Sequence, residues 1–454
     1  MTGTRTTAVR RGLAVAAALL AVTTAAACSG GDDANDGGSG SGSATGSASD
    51  LDAALEKGGA ITYWTWTPSA EAQVAAFEKA YPKVDVNLVN AGTNTEEYTK
   101  LQNAVQAGSG APDVVQVEYY ALPQFALSDA LVDLRQYGLD SLESKYTPST
   151  WNAVNFGGKL YGLPQDSGPM ALFYNKTVFD KYGIAVPTTW DEYVAAAKKL
   201  HAADPTKYIT ADTGDSGFTT SMIWQAGGHP IKVEGTDVTI DFNDPGTQKW
   251  VSTWNQLVEG KLLSTIPGWT DDWYKALGDG TIATLPTGAW MPGVLQGSVA
   301  AGSGHWRVAP MPTYDGTPVT AENGGSTQSV VKQSKNQALA AAFVRWLNSD
   351  PASLEVFFSS GGFPSTVDDL NSPEFLSTAP AYFGGQKINE VLKQAAGEVA
   401  PGWSYLPFQV YANSIYNDTV GKSYVESSDL SKGLASWQSA LVQYGNQQGF
   451  KVTG

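Results

Sequence analysis

An α/β fold in two domains is the architecture this sequence predicts, on three observations. Residues 61–120 alternate short apolar runs with amphipathic stretches in a βαβαβ rhythm, which builds a mostly parallel sheet covered by helices. Beyond residue 50 the chain runs on for about 400 residues, more than one hydrophobic core ordinarily serves. The pattern then changes character at 158–176, where two strand-like pieces flank a Gly/Pro turn.

The elements follow in order. ITYWTW (61–66) reads as a strand. SAEAQVAAFEKAYP (69–82) reads as a helix with Val74, Phe77 and Tyr81 on one face and Pro82 as its stop. VDVNLVN (84–90) is a strand, TEEYTKLQNAVQAG (95–108) a helix closed by Gly108, and PDVVQVEYY (112–120) a buried strand. Thr189-Trp190-Asp191-Glu192 predicts a capping box that opens the helix DEYVAAAKKL. Helices are expected over 245–260, 271–278 and 336–350, with a second one after the last ending at GGFP (361–364). HWRVAPMP (305–312) is a further strand. Residues 386–447 are helical with a break at APGWSYLPF. There is no fixed-period repeat.

Composition narrows the function classes. The formal charge of −16 becomes −19 once residues 1–27, with three arginines and no acids, are removed. Nucleic acid is bound mainly through Lys and Arg, so it is excluded as a partner. The chain has 14 Trp, 20 Tyr and 15 Phe but three His. That excess of flat apolar side chains in an acidic chain points to flat apolar ligands such as sugar rings.

The N-terminus carries the lone cysteine. A basic head (Arg5, Arg10, Arg11) precedes the apolar run GLAVAAALLAV (12–22) and three alanines, the layout of a secretory signal peptide over residues 1–27. The run is short of the roughly 20 residues a membrane span needs. Downstream, residues 28–50 are rich in Gly, Ser and Asp, with almost nothing to bury, and read as a flexible tether of roughly 25 Å. A small-residue run ending in Cys28 resembles the bacterial lipoprotein lipobox, with Ala25 where leucine is common. That resemblance implies a lipid on Cys28 and a place on the outer face of the cell membrane. An ordinary signal peptide ending near a cysteine is the plainer alternative. Arg10-Arg11 leaves the export route open between general secretion and the twin-arginine pathway.

Taken together, YWTW (63–66), DVVQVE (113–118), YGLPQDSGPMALFYNK (161–176), TTWDEYVAAAKKL (188–200), WQAGG (224–228), GDGTIATLPTGAW (278–290), ENGGS (322–326) and the helix leading into GGFP keep a characteristic order and spacing. The chain from about residue 60 onward resembles the extracellular solute-binding proteins of ABC sugar importers, the group that includes maltodextrin-binding protein. The resemblance implies a two-lobe periplasmic-binding-protein-like α/β fold with the ligand in the cleft between lobes. It implies a carbohydrate ligand, in particular an oligosaccharide. It also implies a permease partner served by a separate ATPase, a monomer, no cofactor and no metal. The crossings between lobes would fall near Met170–Leu172, Gly324–Ser326 and Gly362–Ser365. Lobe one would then be 60–170 plus 326–362, and lobe two 171–323 plus 365–454.

A sugar needs aromatic faces for stacking and carboxylates or amides for its hydroxyls, placed at strand ends facing the cleft. Trp64 and Trp66 share one strand face, and Trp66 is nearer the C-terminal end. Glu118 and Tyr119, with Tyr120, lie just past a buried strand, as loop residues or as ligand contacts. Asp166 is either an Asp turn or a contact before the first crossing. Trp290 closes GAW at a strand end and matches a stacking tryptophan of the family. Glu322, Asn323, Gly324 and Gly325 sit at the second crossing. Trp403 lies in a loop between helices, Phe218 precedes a helix, and Trp269 is on a loop. Trp190, Trp250, Trp254, Trp273 and Trp346 keep helical spacing and belong to cores.

Enzyme motifs fare less well. GDSGF (214–218) and QDSGP (165–169) evoke a serine hydrolase, but His201, His229 and His305 all lack the context of a catalytic base. Gly421-Lys422-Ser423 mimics the end of a P-loop, yet Tyr416 stands where its first glycine belongs. A zinc site is disfavoured by few His and one Cys, and no calcium loop of the D-x-D-x-D-G type occurs. Two alternatives remain open: a secreted glycoside-active enzyme using Glu118 and Asp166 as its carboxylate pair, and a polysaccharide-binding surface module.

Overall fold

The computed structural model describes residues 48–454. Cys28, the leader and the tether up to residue 47 lie outside the described residues. The tether reading ends three residues too late, because a helix, Ala48–Lys57, begins inside it. Leu51 and Leu55, on one side of that helix, are buried in the first core. The preceding Gly/Ser run hid this helix from periodicity.

The first sheet has the spatial order Val84–Val89, Gly59–Trp64, Val114–Glu118, Ser326–Val330, Leu163–Pro164. Its first three strands are parallel, linked by the helices Ala70–Ala80 and Thr95–Ala107. Such crossovers cover the middle of the sheet, and Val114–Val117 is buried throughout, whereas the edge strand Val84–Val89 alternates buried and exposed residues. Ser326–Val330 returns from the far end of the chain and runs antiparallel to both of its neighbours.

The second half repeats this plan. Leu263–Ser264 and Thr210–Ala211 are parallel, and Thr210–Ala211 continues to Thr284–Gly288 through the parallel bridge Tyr208–Ile282 and the bond from Thr284 N–H to the Ile209 carbonyl (2.7 Å). Met170–Asn175 then runs antiparallel to Thr284–Gly288 on one side and Trp306–Ala309 on the other. The mostly parallel sheet expected over 61–120 is present, and each half adds one reversed strand to it. In each half the strand that arrives from a crossing enters against the direction of its neighbours, and no local pattern reports that.

Three apolar cores result. One gathers Leu51 to Leu163 with Val330 to Leu347. A second is built around Trp190, Trp250, Trp254 and Trp437, and a third around Phe173, Trp273, Trp306 and Phe383. Buried indoles usually find a partner for their N–H, although those of Trp250 and Trp306 have none. Trp190 donates to Gln225 Oε1 (3.0 Å), Trp254 to Asp212 Oδ2 (2.9 Å) and Trp437 to the Ala412 carbonyl (2.9 Å). The predicted capping box at Thr189 and Glu192 is present in full.

Three stretches of chain run side by side between the halves. Gln165 N–H donates to the Ser326 carbonyl (2.9 Å), Asn323 N–H to Gly168 (2.8 Å) and Met170 N–H to Ala321 (2.9 Å). Ser167 N–H reaches the Phe363 carbonyl (3.4 Å), and Asp166 bridges to Pro364. The first of these stretches is 165–169, a few residues before the expected Met170–Leu172, which already lies in a strand of the second half.

Candidate functional site

The strand Val114–Glu118 delivers Glu118 at its C-terminal end, opposite Ser326 in the neighbouring strand. Glu118 Oε2 accepts from the Tyr98 hydroxyl (3.1 Å), whose oxygen in turn accepts the Glu118 N–H (2.9 Å). Tyr98 stands on the helix Thr95–Ala107, so one element orients the carboxylate that another supplies. Burial pushes the Glu118 carboxyl up to about 7, helped by the negative charges of Asp166 and Asp215 and opposed by bonds from Tyr98 and Tyr120. Asp166, on the first crossing, accepts the Ser326 N–H on Oδ1 (2.7 Å), and burial raises it to about 7 as well. Asp215, which is exposed to solvent, caps the helix Ser216–Gln225 by accepting the Phe218 N–H (2.7 Å). These acceptors come from the first half, the crossing and the second half.

Aromatic faces lie beside them. Trp290 stands at the N-cap of the helix Met291–Ser298 and donates its indole N–H to the Asn323 carbonyl (2.6 Å). Trp269 is 54% exposed, adopts φ +67° and lies 5.6 Å from Trp290, ring centre to ring centre. A non-glycine residue held at positive φ marks a place where surrounding structure over-rides local preference. Gly324 and Gly325 also have positive φ. A Cβ on Gly324 would lie 2.9 Å from the Trp290 indole nitrogen, and one on Gly325 2.5 Å from the Tyr119 ring. Asn323 completes the turn, its side chain accepting from Thr287 (3.2 Å) and donating to Ser221 (3.2 Å). On the other side Trp66, just past its strand, packs edge-on against Tyr98 at 6.2 Å.

The structure thus joins Glu118, Asp166, Asn323, Gly324, Gly325, Trp290 and Trp269 into one contiguous set at the strand ends and crossings, with Trp66 attached through Tyr98. Other candidates take different roles. Glu322 is 4% exposed and its carboxylate accepts from Ser149 (2.9 Å), Ser167 (3.1 and 3.3 Å) and Gly168 N–H (2.6 Å). Three donors converge on this buried carboxylate, the Ser167 hydroxyl lying within reach of both of its oxygens. Glu322 is a structural clamp rather than a ligand acceptor. Tyr119 is 3% exposed and spends its hydroxyl on the Asp166 carbonyl (2.7 Å), so it supports the crossing from below. Phe218 packs on the core tryptophan Trp254 at 5.4 Å. Trp403 stacks on Trp224 (5.3 Å, 10°), and its neighbour Tyr405 packs against the first core and lies within reach of the charges on Glu118 and Glu322.

Tyr98, Tyr405 and Asp215 were absent from the sequence reading. Asp215 had a usable signal, since an Asp before Ser-Gly-Phe is an N-cap pattern. The two DSG motifs are resolved by geometry: Asp215 caps a helix, and Ser167 donates to Glu322. A groove of about 910 Å³ lies elsewhere, between the helices Met291–Ser298 and Pro351–Ser359, and is lined by Pro292, Gly293, Phe358, Phe363 and Phe375. None of the candidate residues lines it, although Glu355, Asp369 and Glu374 do.

Residues 34–353 match the family model described as bacterial extracellular solute-binding protein. The chain belongs to that family. The chain is similar to the solved ABC transporter associated binding protein from B. animalis subsp. lactis Bl-04 in complex with β-1,6-galactobiose. That structure is 45% identical, with a TM-score of 0.81 over 87% of this chain and 99% of the other. The galacto-N-biose/lacto-N-biose I-binding protein of Bifidobacterium longum, in complex with lacto-N-biose, is 28% identical with a TM-score of 0.77 over 87% and 99%. Among curated relatives, an arabinooligosaccharide-binding protein of Halalkalibacterium halodurans is 24% identical over 77% of this chain and 80% of its own. These relatives are named as binding proteins, not enzymes. No helix of the described residues is long and apolar enough to cross a membrane.

Proposed function

We propose that this family member is the receptor of a carbohydrate ABC importer, which captures an oligosaccharide between its two lobes and hands it to a membrane permease. The observation that carries this reading is the Trp269–Trp290 pair beside acceptors from both halves and the crossing (Glu118, Asp215, Asp166). Stacking faces bind the apolar side of a sugar ring, and carboxylates accept its hydroxyl protons. The 45%-identical relative holding β-1,6-galactobiose supports a short oligosaccharide. In this account lobe one comprises residues 48 to about 164 with 326–362, and lobe two comprises 170–321 with 365–454. Because the ligand touches both lobes, the closed state alone gains its full binding energy. No bond is made or broken. Cys28 carries the lipid that keeps the receptor beside its permease, and mass spectrometry of the membrane fraction would reveal the added acyl mass.

The test is thermal unfolding of the chain against mono- and oligosaccharides, with amino acids and peptides as controls. A sugar at 100 times its dissociation constant should add about 2.7 kcal/mol of stability. Stabilisation by a peptide or amino acid and by no sugar would overturn the carbohydrate assignment.

A further inference from the structure

The groove beside the crossing at Phe363 and Pro364 has walls from different halves of the chain. One wall is the helix Pro351–Ser359, which supplies Glu355 and Phe358. The other is built from the helix Met291–Ser298 and the segment after the crossing, which supplies Asp369, Glu374 and Phe375. The walls meet backbone to backbone, since a Cβ on Gly361 would lie 3.1 Å from the Gly293 Cα. Beyond that contact they part to enclose about 910 Å³.

The groove pairs half-buried aromatic rings with exposed carboxylates. Phe358 and Phe375 lie 6.2 Å apart, ring centre to ring centre, and Phe375 also packs on the buried Phe363 at 5.7 Å. Glu355 and Glu374 are exposed. Among the described residues neither enters an ion pair, and no Lys, Arg or His lines the groove. Apolar surface shared between two walls favours an apolar occupant. Carboxylates without cations beside it attract positive charge and repel phosphate-bearing surfaces such as anionic lipid. A saccharide finds no flat platform here, because the two rings are inclined at 54° and no Trp or Tyr lines the groove. An apolar side chain flanked by cations matches both features.

We propose that this groove docks a basic peptide segment of a protein partner, with an apolar side chain against Phe358 and Phe375 and cations facing Glu355 and Glu374. Because one wall belongs to each half, the groove changes shape when the halves move. Its affinity for the segment therefore depends on whether the cleft is occupied. Only this coupling rests on the carbohydrate reading above; the docking itself does not.

The experiment titrates three capped tripeptides into the full chain at low salt, up to millimolar concentration, with binding followed on the peptide by NMR. They are Arg-Phe-Arg, Arg-Ser-Arg and Glu-Phe-Glu. The first should bind at least about tenfold more tightly than either of the others. Glu355→Lys or Glu374→Lys should weaken it by about tenfold. Glu234→Lys, an equal change of charge at an exposed position on the hairpin Ile231–Glu234, should leave it unchanged. Absence of Arg-Phe-Arg binding would overturn the proposal. So would equal binding of Arg-Ser-Arg or Glu-Phe-Glu, or an equal loss in all three variants. Saturation with β-1,6-galactobiose, or with whichever sugar stabilises the chain, should change the affinity for Arg-Phe-Arg by about fivefold or more. An affinity indifferent to bound sugar would overturn the coupling. If no saccharide binds, the carbohydrate reading fails while the peptide series still decides the docking.

Discussion

Trp290 has its ring orientation set by a single bond, from its indole N–H to the Asn323 carbonyl, and by Gly324 passing beneath it. Replacing it with alanine removes a stacking face that lies partly buried on the edge of the third core. Trp290→Ala should weaken sugar binding by about 1–3 kcal/mol in a calorimetric titration, with the fold retained. Unchanged affinity would remove Trp290 from the site. Glu97 makes a prediction of another kind. Burial, with the charge of Glu118, holds its proton on up to about pH 8 in the folded chain, whereas an unfolded glutamate releases it near about 4.3. Between those values the folded chain binds more protons than the unfolded one. The stability linked to Glu97 is therefore complete at acid pH and is lost as pH rises toward 8. Glu97→Gln should flatten that decline and stabilise the protein by about 1–3 kcal/mol at pH 8, with little change near pH 4.5. A destabilised variant at pH 8 would contradict this. Residues of this kind were only partly legible in the sequence. Glu118, Asp166 and Trp290 stand at strand ends or chain crossings that pattern and family resemblance locate. Asp215, Tyr98 and Tyr405 enter the site through approaches between distant segments, and Glu97 reads as an ordinary first-turn helix acid.

The crossings behave as one element because Glu322 binds them together. Its carboxylate takes donors from the helix Pro148–Val154 and from residues 167 and 168, and its own carbonyl accepts from Ser221 (2.8 Å). Glu322→Ala would leave buried donors without partners and should cost about 2–4 kcal/mol in urea unfolding. A loss below about 0.5 kcal/mol, the range of ordinary surface substitutions, would show that the clamp is not structural. Most elements were legible at this scale. The helix Asp271–Gly278 matches its expected bounds, and Pro245–Glu259 and Gln337–Ser349 match to within a residue, because their apolar spacing is long and regular. The hairpin Ile231–Glu234 with Asp237–Ile240 and its partner strand Lys451–Thr453 escaped notice. These strands are three or four residues long, and the pairing of Asp237–Ile240 with Lys451–Thr453 joins segments more than two hundred residues apart.

For the molecule as a whole, two α/β halves of like topology place their strand ends at a shared set of crossings, and the proposed binding groups lie on both sides of it. That arrangement explains how one chain can hold a ligand without chemistry: the ligand itself supplies the contacts that favour the closed form. The mixed direction of the sheets is the part of the architecture that no local signal reveals, since it depends on where each returning strand enters. The central claim is that an intact sugar binds between the halves. It is tested most directly by calorimetric titration of the chain with β-1,6-galactobiose and the other short neutral oligosaccharides, with the sugar analysed afterwards. The account predicts one sugar per chain, a negative heat-capacity change from the buried aromatic faces, and full recovery of the uncut sugar. Absence of binding by every saccharide, or cleavage of the one that binds, would contradict it.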